Sequence, residues 1–277
     1  MHAIIIYSIV PVRTDAREGA EQETQLLFGE LCEVLEQLPR WWKVRNEADG
    51  EEGYADALML TPMTDEEYAA YTAALAASTA RVMLPMTYAV SGNNGQTIPL
   101  SMGTRLPNYH DGQFEVLGVT FRIDRAAVAE GPLPLNQDTL MQVTRFLLNT
   151  PYLWGGKNAL GMDCSGLTQT VMSLFGIRLP RNASQQVKCG EEVKSLKDAQ
   201  AGDLVLFDHA DPDSEGTVPH NCTGDSRVTH VGLLLDGERV IHCSGRVKIE
   251  LISERGIYGQ QQQAFTHHLA AIRRVVS

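Results

Sequence analysis

The segment Tyr152-Leu-Trp-Gly-Gly-Lys-Asn-Ala-Leu-Gly-Met-Asp-Cys-Ser-Gly-Leu limits the fold most, because its glycine-rich approach ends on Cys164 where an amphipathic helix begins. From Leu167 the apolar positions Leu167, Val171 and Leu174, with Met172 and Phe175 alongside, form a helical stripe that Gly176 stops. Cys164 therefore falls in or beside the first turn. Unpaired N–H groups and the positive end of the helix dipole favour an anion there, so the sequence predicts a thiol with a lowered pKa. A buried structural cysteine is the plainer reading of an isolated Cys, since free Cys is among the most buried residue types. The downstream histidines weigh against it.

Two of them lie in strand-like runs. Arg227-Val-Thr-His-Val-Gly-Leu-Leu-Leu reads as a buried strand with one polar residue, His230, and Arg239-Val-Ile-His-Cys-Ser-Gly as a second strand holding His242, after the turn Asp236-Gly-Glu. Adjacent strands would put both imidazoles on one sheet. His230 would then be the base for Cys164, and His242 the group that orients that base.

Asp163-Cys-Ser-Gly-Leu, Pro180-Arg-Asn-Ala-Ser-Gln-Gln, Ala201-Gly-Asp-Leu-Val-Leu-Phe, Val228-Thr-His-Val-Gly and Ile241-His-Cys-Ser-Gly follow one another in the order and spacing of the NlpC/P60 cysteine peptidases, which the chain resembles. The resemblance implies a papain-like α+β catalytic domain that cuts bacterial cell-wall peptides between γ-D-glutamate and a diamino acid. Carried over by motif, Cys164 is the nucleophile, His230 the base and His242 the orienting residue, while Tyr152 and Trp154 line the cleft.

Ile4 to Arg13, Gln25-Leu-Leu-Phe-Gly-Glu-Leu-Cys-Glu-Val-Leu-Glu, Arg40-Trp-Trp-Lys-Val-Arg and Gly53-Tyr-Ala-Asp are short strand-like runs between polar turns, a pattern that predicts a small barrel. They resemble the first bacterial SH3-type domain of multidomain NlpC/P60 enzymes that process short muropeptides. In those enzymes the domain closes one end of the cleft, so that only a peptide with a free N-terminal L-alanine fits. Thr64 caps a predicted helix over 65–82, rich in alanine with acidic residues in its first turn. Between about 83 and 130, turn signals at Gly92-Asn-Asn-Gly, Leu106-Pro-Asn and His110-Asp-Gly predict a second small barrel. Gly131-Pro-Leu-Pro-Leu is a stiff linker, and Asn136 caps a helix with Leu140, Val143 and Leu147 on one face. The expected layout is a first SH3-like domain over 1–63, a helical connector over 64–82, a second SH3-like domain over 83–130 and a papain-like catalytic domain over 131–277.

The resemblance also implies receptors for the free amine: a glutamate of the first domain, a tyrosine further along, and the aspartate before the nucleophile. Glu52, placed before Gly53-Tyr, Tyr88 in Pro85-Met-Thr-Tyr, and Asp163 match those positions. A buried ammonium needs a carboxylate, because an unpaired buried charge costs several kcal/mol. Ser165 could bind a substrate carboxylate or carbonyl; equally, Asp163 and Ser165 could simply cap the helix. The backbone N–H of Cys164 is the first candidate for an oxyanion donor.

At 277 residues with 43% hydrophobic content the chain can bury two or three cores. The five cysteines, Cys32, Cys164, Cys189, Cys222 and Cys243, form no CxxC pair, so neither a disulfide framework nor a cofactor is expected. A net charge of −11 argues against nucleic acid and anionic lipid as partners. Met-His-Ala-Ile-Ile-Ile-Tyr lacks the basic and long apolar regions of a secretory signal, and no run reaches the about 18 apolar residues of a membrane span. The expected setting is cytoplasmic, on recycled wall fragments, or outside the membrane if a leader has been removed. The 208–227 stretch reads as an exposed loop that tunes access to the cleft. His209, Asp211, Asp213, His220 and Cys222 lack the paired spacing of zinc motifs, and no metal is expected. Two other classes fit parts of the pattern: a thiol amidase or acyltransferase on the same scaffold, and a wall-binding module without activity.

Overall fold

The computed structural model describes residues 1–209 and 228–276. The chain divides into two compact units, Met1–Leu133 with Trp154–Ala159, and Pro134–Leu153 with Leu160–Ser277.

In the first unit the strands β1 (His2–Ile4), β2 (Ile9–Arg13), β3 (Gln22–Leu27), β4 (Leu31–Gln37), β5 (Trp41–Asn46), β6 (Glu52–Asp56) and β7 (Thr61–Met63) form one antiparallel sheet in the order β3-β2-β6-β5-β4-β1-β7. Alternation sends Val10 and Val12 inward, where they meet Ile5, Leu26, Cys32, Val44 and Ala55. The run expected as one strand from Ile4 to Arg13 is two. The β5–β6 hairpin turns on Asn46, whose carboxamide accepts from the Ala48 N–H (3.0 Å), and on Gly50 at φ 78°.

Helix α1 (Asp65–Ala77) starts on a complete capping box between Thr64 and Glu67, with Asp65, Glu66 and Glu67 in its first turn. It ends five residues short of the expected 82. Ser78 Oγ donates to the Leu106 carbonyl (2.7 Å) and Thr79 Oγ1 to that of Glu130 (3.0 Å), which draws the backbone into β8 (Arg81–Val82). The strands β9 (Met86–Ser91), β10 (Thr97–Ser101), β11 (Gln113–Val116) and β12 (Val119–Ile123) then form a second sheet, ordered β10-β9-β12-β11, and β13 (Val128–Ala129) pairs with β8. The two strand-rich regions share a core: Ile4, Phe28 and Leu31 of the first pack with Tyr71 and Leu75 of α1 and with Leu100, Leu106 and Phe114 of the second. The short strand β14 (Lys157–Asn158) also belongs to this unit.

In the second unit α2 (Gln137–Thr144), capped by Asn136 through the Thr139 N–H (3.0 Å), buries Leu140 and Val143, and Leu147 beyond it is buried too. After β15 (Gly161–Met162) come α3 (Cys164–Ser173), the single turn α4 (Ala183–Gln186) and the strands β16 (Glu191–Glu192), β17 (Leu204–His209), β18 (His230–Asp236), β19 (Arg239–Ser244), β20 (Arg246–Ser253), β21 (Gly256–Gly259) and β22 (Ala264–Arg274). They pair in the order β16-β22-β17-β18-β19-β20-β21, and β21 pairs with β22 as well, so six of the seven close on themselves. α3 packs on β18 and β19. A helix bearing the thiol thus lies on the two strands bearing the histidines, the α+β arrangement that the resemblance implies.

Candidate active site

Asp163 is the N-cap of α3: its Oδ1 accepts from the Gly166 N–H at 2.7 Å, which places Cys164 at the first helical position. The motif Pro180-Arg-Asn-Ala-Ser-Gln-Gln buttresses this start. Arg181, 1% exposed, meets Asp163 in a two-armed pair, Nη1 to Oδ1 at 3.0 Å and Nη2 to Oδ2 at 2.6 Å, and Nη1 also donates to Ser165 Oγ at 2.9 Å. Gln186 donates from Nε2 to the carbonyls of Ser165 (3.2 Å) and Pro180 (2.9 Å) and accepts from Thr168 Oγ1 (2.7 Å).

The backbone N–H groups of Val231, at the start of β18, and of Ser165, next to it in α3, bear on the Cys164 sulfur. These donors and the Arg181 charge favour a thiolate, but burial and the Asp163 carboxylate oppose them more strongly and push the thiol up to about 11. The lowered thiol pKa predicted from the helix start is therefore not what the site produces. Thiolate formation here depends on a base that takes the proton.

Two histidines stand on the strands against which α3 packs. Gly232 pairs opposite His242 in the β18–β19 register, so His230, two residues before Gly232, shares a face with His242. His230 Nε2 and His242 Nδ1 are 2.8 Å apart. Gly232 makes this possible, because a Cβ there would stand 3.1 Å from His242 Cβ and 2.8 Å from the Ile241 carbonyl oxygen. On the other side His242 Nε2 is 2.9 Å from Glu250 Oε2, and Lys248 Nζ is 3.0 Å from the same oxygen. Burial, the largest influence on His242, holds its imidazole below the usual range although Glu250 pulls it up. Glu250 is held below the usual carboxylate range, because hydrogen bonds from His242 and Lys248 overcome the upward push of burial. The pair is therefore a neutral imidazole donating to a carboxylate. The His267 ring lies over His230, with centroids 4.3 Å apart.

Sequence reasoning missed Arg181, Glu250 and His267 as members of the site. Arg181 stands in the Pro180-Arg-Asn-Ala-Ser-Gln-Gln motif, and the charge partner demanded by an aspartate beside a buried nucleophile was the signal. Glu250 is legible only once the β19–β20 hairpin turns at Gly245 and sets Val240 opposite Glu250. His267 comes from the far end of the sheet and left no local signal.

The expected substrate residues fall in different settings. Tyr152 lies near the nucleophile in the second unit, its phenol raised well above the usual range by burial and by the charges of Cys164 and Asp163. Ser165 Oγ is engaged by Arg181 and donates to Asp163 Oδ1 at 3.2 Å. Asp163 has its charge answered by Arg181, so the capping role expected of it is joined by an ion pair that an incoming amine would have to share. Trp154 belongs to the first unit, 56% exposed, its carbonyl accepting from Gln22 Nε2 at 2.9 Å. Glu52, at the start of β6, is half-exposed between Arg45 (2.6 Å) and Lys43 (3.2 Å). That is not the buried, unanswered carboxylate an ammonium receptor calls for. Tyr88 on β9 is 59% exposed. Among the described residues no group of three His, Cys, Asp or Glu can hold a metal; Asp211, Asp213, His220 and Cys222 lie outside them, as does the access role expected for their loop. Among the described residues no helix is long and apolar enough to cross a membrane.

Comparison with known proteins agrees with this geometry. Residues 149–269 match the model of the NlpC/P60 family, and residues 12–57 that of the bacterial dipeptidyl-peptidase Sh3 domain. The chain carries an NlpC/P60 domain. Its curated relatives include a gamma-D-glutamyl-L-lysine dipeptidyl-peptidase of Bacillus subtilis, 27% identical over 92% of this chain and 81% of that protein. A protein of the same name from Bacillus cereus is 26% identical over 75% of this chain and 66% of its own length. Among solved structures, an NlpC/P60 family protein from Bacillus cereus covers all of both chains at a TM-score of 0.75 and 21% identity. An NlpC/P60 endopeptidase from Photobacterium damselae covers 98% of this chain and 72% of its own at 0.68 and 15% identity. At such identities the structures speak to the fold alone. A cysteine at a helix start and two hydrogen-bonded histidines in an NlpC/P60 domain fit a cysteine-type peptidase.

Proposed function

We propose that the protein hydrolyses the γ-D-glutamyl–diamino acid bond of cell-wall peptides bearing a free N-terminal L-alanine, in the recycling or turnover of wall fragments. The observation that carries the chemistry is the buried His230–His242 hydrogen bond beside a thiol at the first position of α3. His230 takes the Cys164 proton as sulfur attacks the scissile carbonyl, and the developing oxyanion lies near the N–H of Cys164 at the positive end of the helix. The imidazolium then protonates the departing amine of the diamino acid. Water, deprotonated by the same imidazole, hydrolyses the thioester to release the dipeptide acid and restore the thiol.

The substrate reading is supported by relatives named dipeptidyl-peptidases, since an enzyme that releases dipeptides works from an amino end, and by the Sh3 match of the first unit. The test compares kcat/KM for L-Ala-γ-D-Glu-L-Lys with its N-acetylated form. The free peptide should be preferred by a factor of about ten or more, the value of one charge-assisted hydrogen bond to Asp163 lost when the amine is acylated. Equal values would mean a site that accepts intact wall, and the recycling role would be given up.

A further inference from the structure

Behind the nucleophile and its base, the hydrogen-bonded chain ends in a carboxylate that no step of the proposed reaction uses. Glu250, 7% exposed, reaches His242, which is fully buried, and His242 reaches His230 through its other nitrogen. A carboxylate has no proton to give and an imidazole has two distinct nitrogens, so a chain of this kind has a direction.

We propose that Glu250 is a positioning residue that fixes the tautomers of both histidines and so makes His230 Nδ1 the atom that receives the Cys164 proton. The inference rests on the cysteine-peptidase reading of the site but not on its substrate. The proton between His242 and Glu250 resides on His242 Nε2. Neutral His242 then presents a bare Nδ1 to His230, so the proton of that 2.8 Å contact resides on His230 Nε2. When Cys164 gives up its proton, the S–H bond breaks with its electron pair left on sulfur and an N–H bond forms at His230 Nδ1. The new imidazolium is anchored at its far nitrogen by His242, and Glu250 answers the charge through that ring without a second proton moving.

Several groups face this chain from the elements packed around it. Lys248, directly opposite His242 in the β19–β20 register, shares Glu250 Oε2 and holds the carboxylate ionised. The His267 ring lies on His230 from β22, Phe207 flanks His230 from β17, and Cys164 approaches from α3. With the opposite tautomer at His242, its bare Nε2 would face the Glu250 carboxylate oxygen, two acceptors in a buried and unsatisfied contact.

Imidazole nitrogen resonances of the 15N-labelled full chain test the direction at pH 7.5. The wild type should show His230 and His242 both protonated at Nε2. Glu250→Gln should keep both tautomers, because the amide oxygen still accepts from His242, whereas Glu250→Leu should scramble them. Alkylation of Cys164 by iodoacetamide, read by peptide mass, should slow about tenfold in Glu250→Leu, the effect of one pKa unit on the ion pair. His230 protonated at Nδ1 in the wild type, or unchanged tautomers in Glu250→Leu, would overturn the proposal. Should Glu250→Leu fail to fold, the wild-type spectrum and Glu250→Gln decide alone. Neither readout uses a substrate, so a failed peptide assay would sink the substrate reading and leave this one standing.

Discussion

At the scale of single residues, the roles follow from which groups carry charge and when. Cys164→Ala should lower kcat by at least about four orders of magnitude with the fold intact, and Cys164→Ser should be nearly as inactive because a hydroxyl's pKa lies far above a thiol's. His230→Ala should match it, since one imidazole both removes the thiol proton and protonates the leaving amine. His242→Asn should be milder, because a carboxamide can still accept from His230 Nε2; equal loss in both histidine variants, measured as kcat/KM, would exchange their roles. Cys164, His230 and His242 were legible because each sits in a local pattern, a cap before an amphipathic helix or a lone polar residue in an apolar strand. Glu250 was not, because its place depends on the register of two hairpins. Nor was the resting state of the thiol: the helix start is local, whereas the burial that outweighs it comes from packing.

At the scale of elements, the N-terminus of α3 is held by side chains rather than by its own length. Arg181→Met should leave the buried Asp163 carboxylate unanswered and cost about 3–5 kcal/mol, seen as a shift of the urea midpoint. The double variant Arg181→Met with Asp163→Asn should recover much of that stability; no recovery would show that Arg181 acts mainly through packing. Gly232→Val adds bulk where β18 and β19 carry the two histidines, and it should cost about 1–3 kcal/mol and displace His242. Its mark is a fall in kcat larger than the rise in KM, since the substrate side of the site is untouched. The helix starts at Thr64, Asn136 and Asp163 were readable from cap chemistry, but the end of α1 was not, because Ser78 and Thr79 are drawn off by carbonyls of Leu106 and Glu130, far along the chain.

At the scale of the whole molecule, its buried titratable groups set a window of pH stability. Burial keeps His242 below its ordinary value of 6.5, so the folded state binds that proton less readily than the unfolded chain, and stability present above pH 6.5 is lost as pH falls through it. Glu250, also held down, adds a second loss below its ordinary 4.5. Buried thiols act on the other side. Cys32 and Cys243 are pushed up to about 12 and Cys164 to about 11, from an ordinary 9.0. Groups raised in this way stabilise fully below pH 9 and progressively less above it, as the unfolded chain ionises first. Thermal unfolding midpoints should therefore form a plateau between about pH 6.5 and 9 and fall on both sides. The two edges have different owners. His242→Asn should flatten the fall just below pH 6.5 while leaving the alkaline edge alone, and Cys32→Ala should lower the plateau but soften the alkaline edge. An acid edge unmoved in His242→Asn would mean that His242 titrates in the fold as it does in the open chain, and the neutral imidazole at the centre of the site would have to be abandoned.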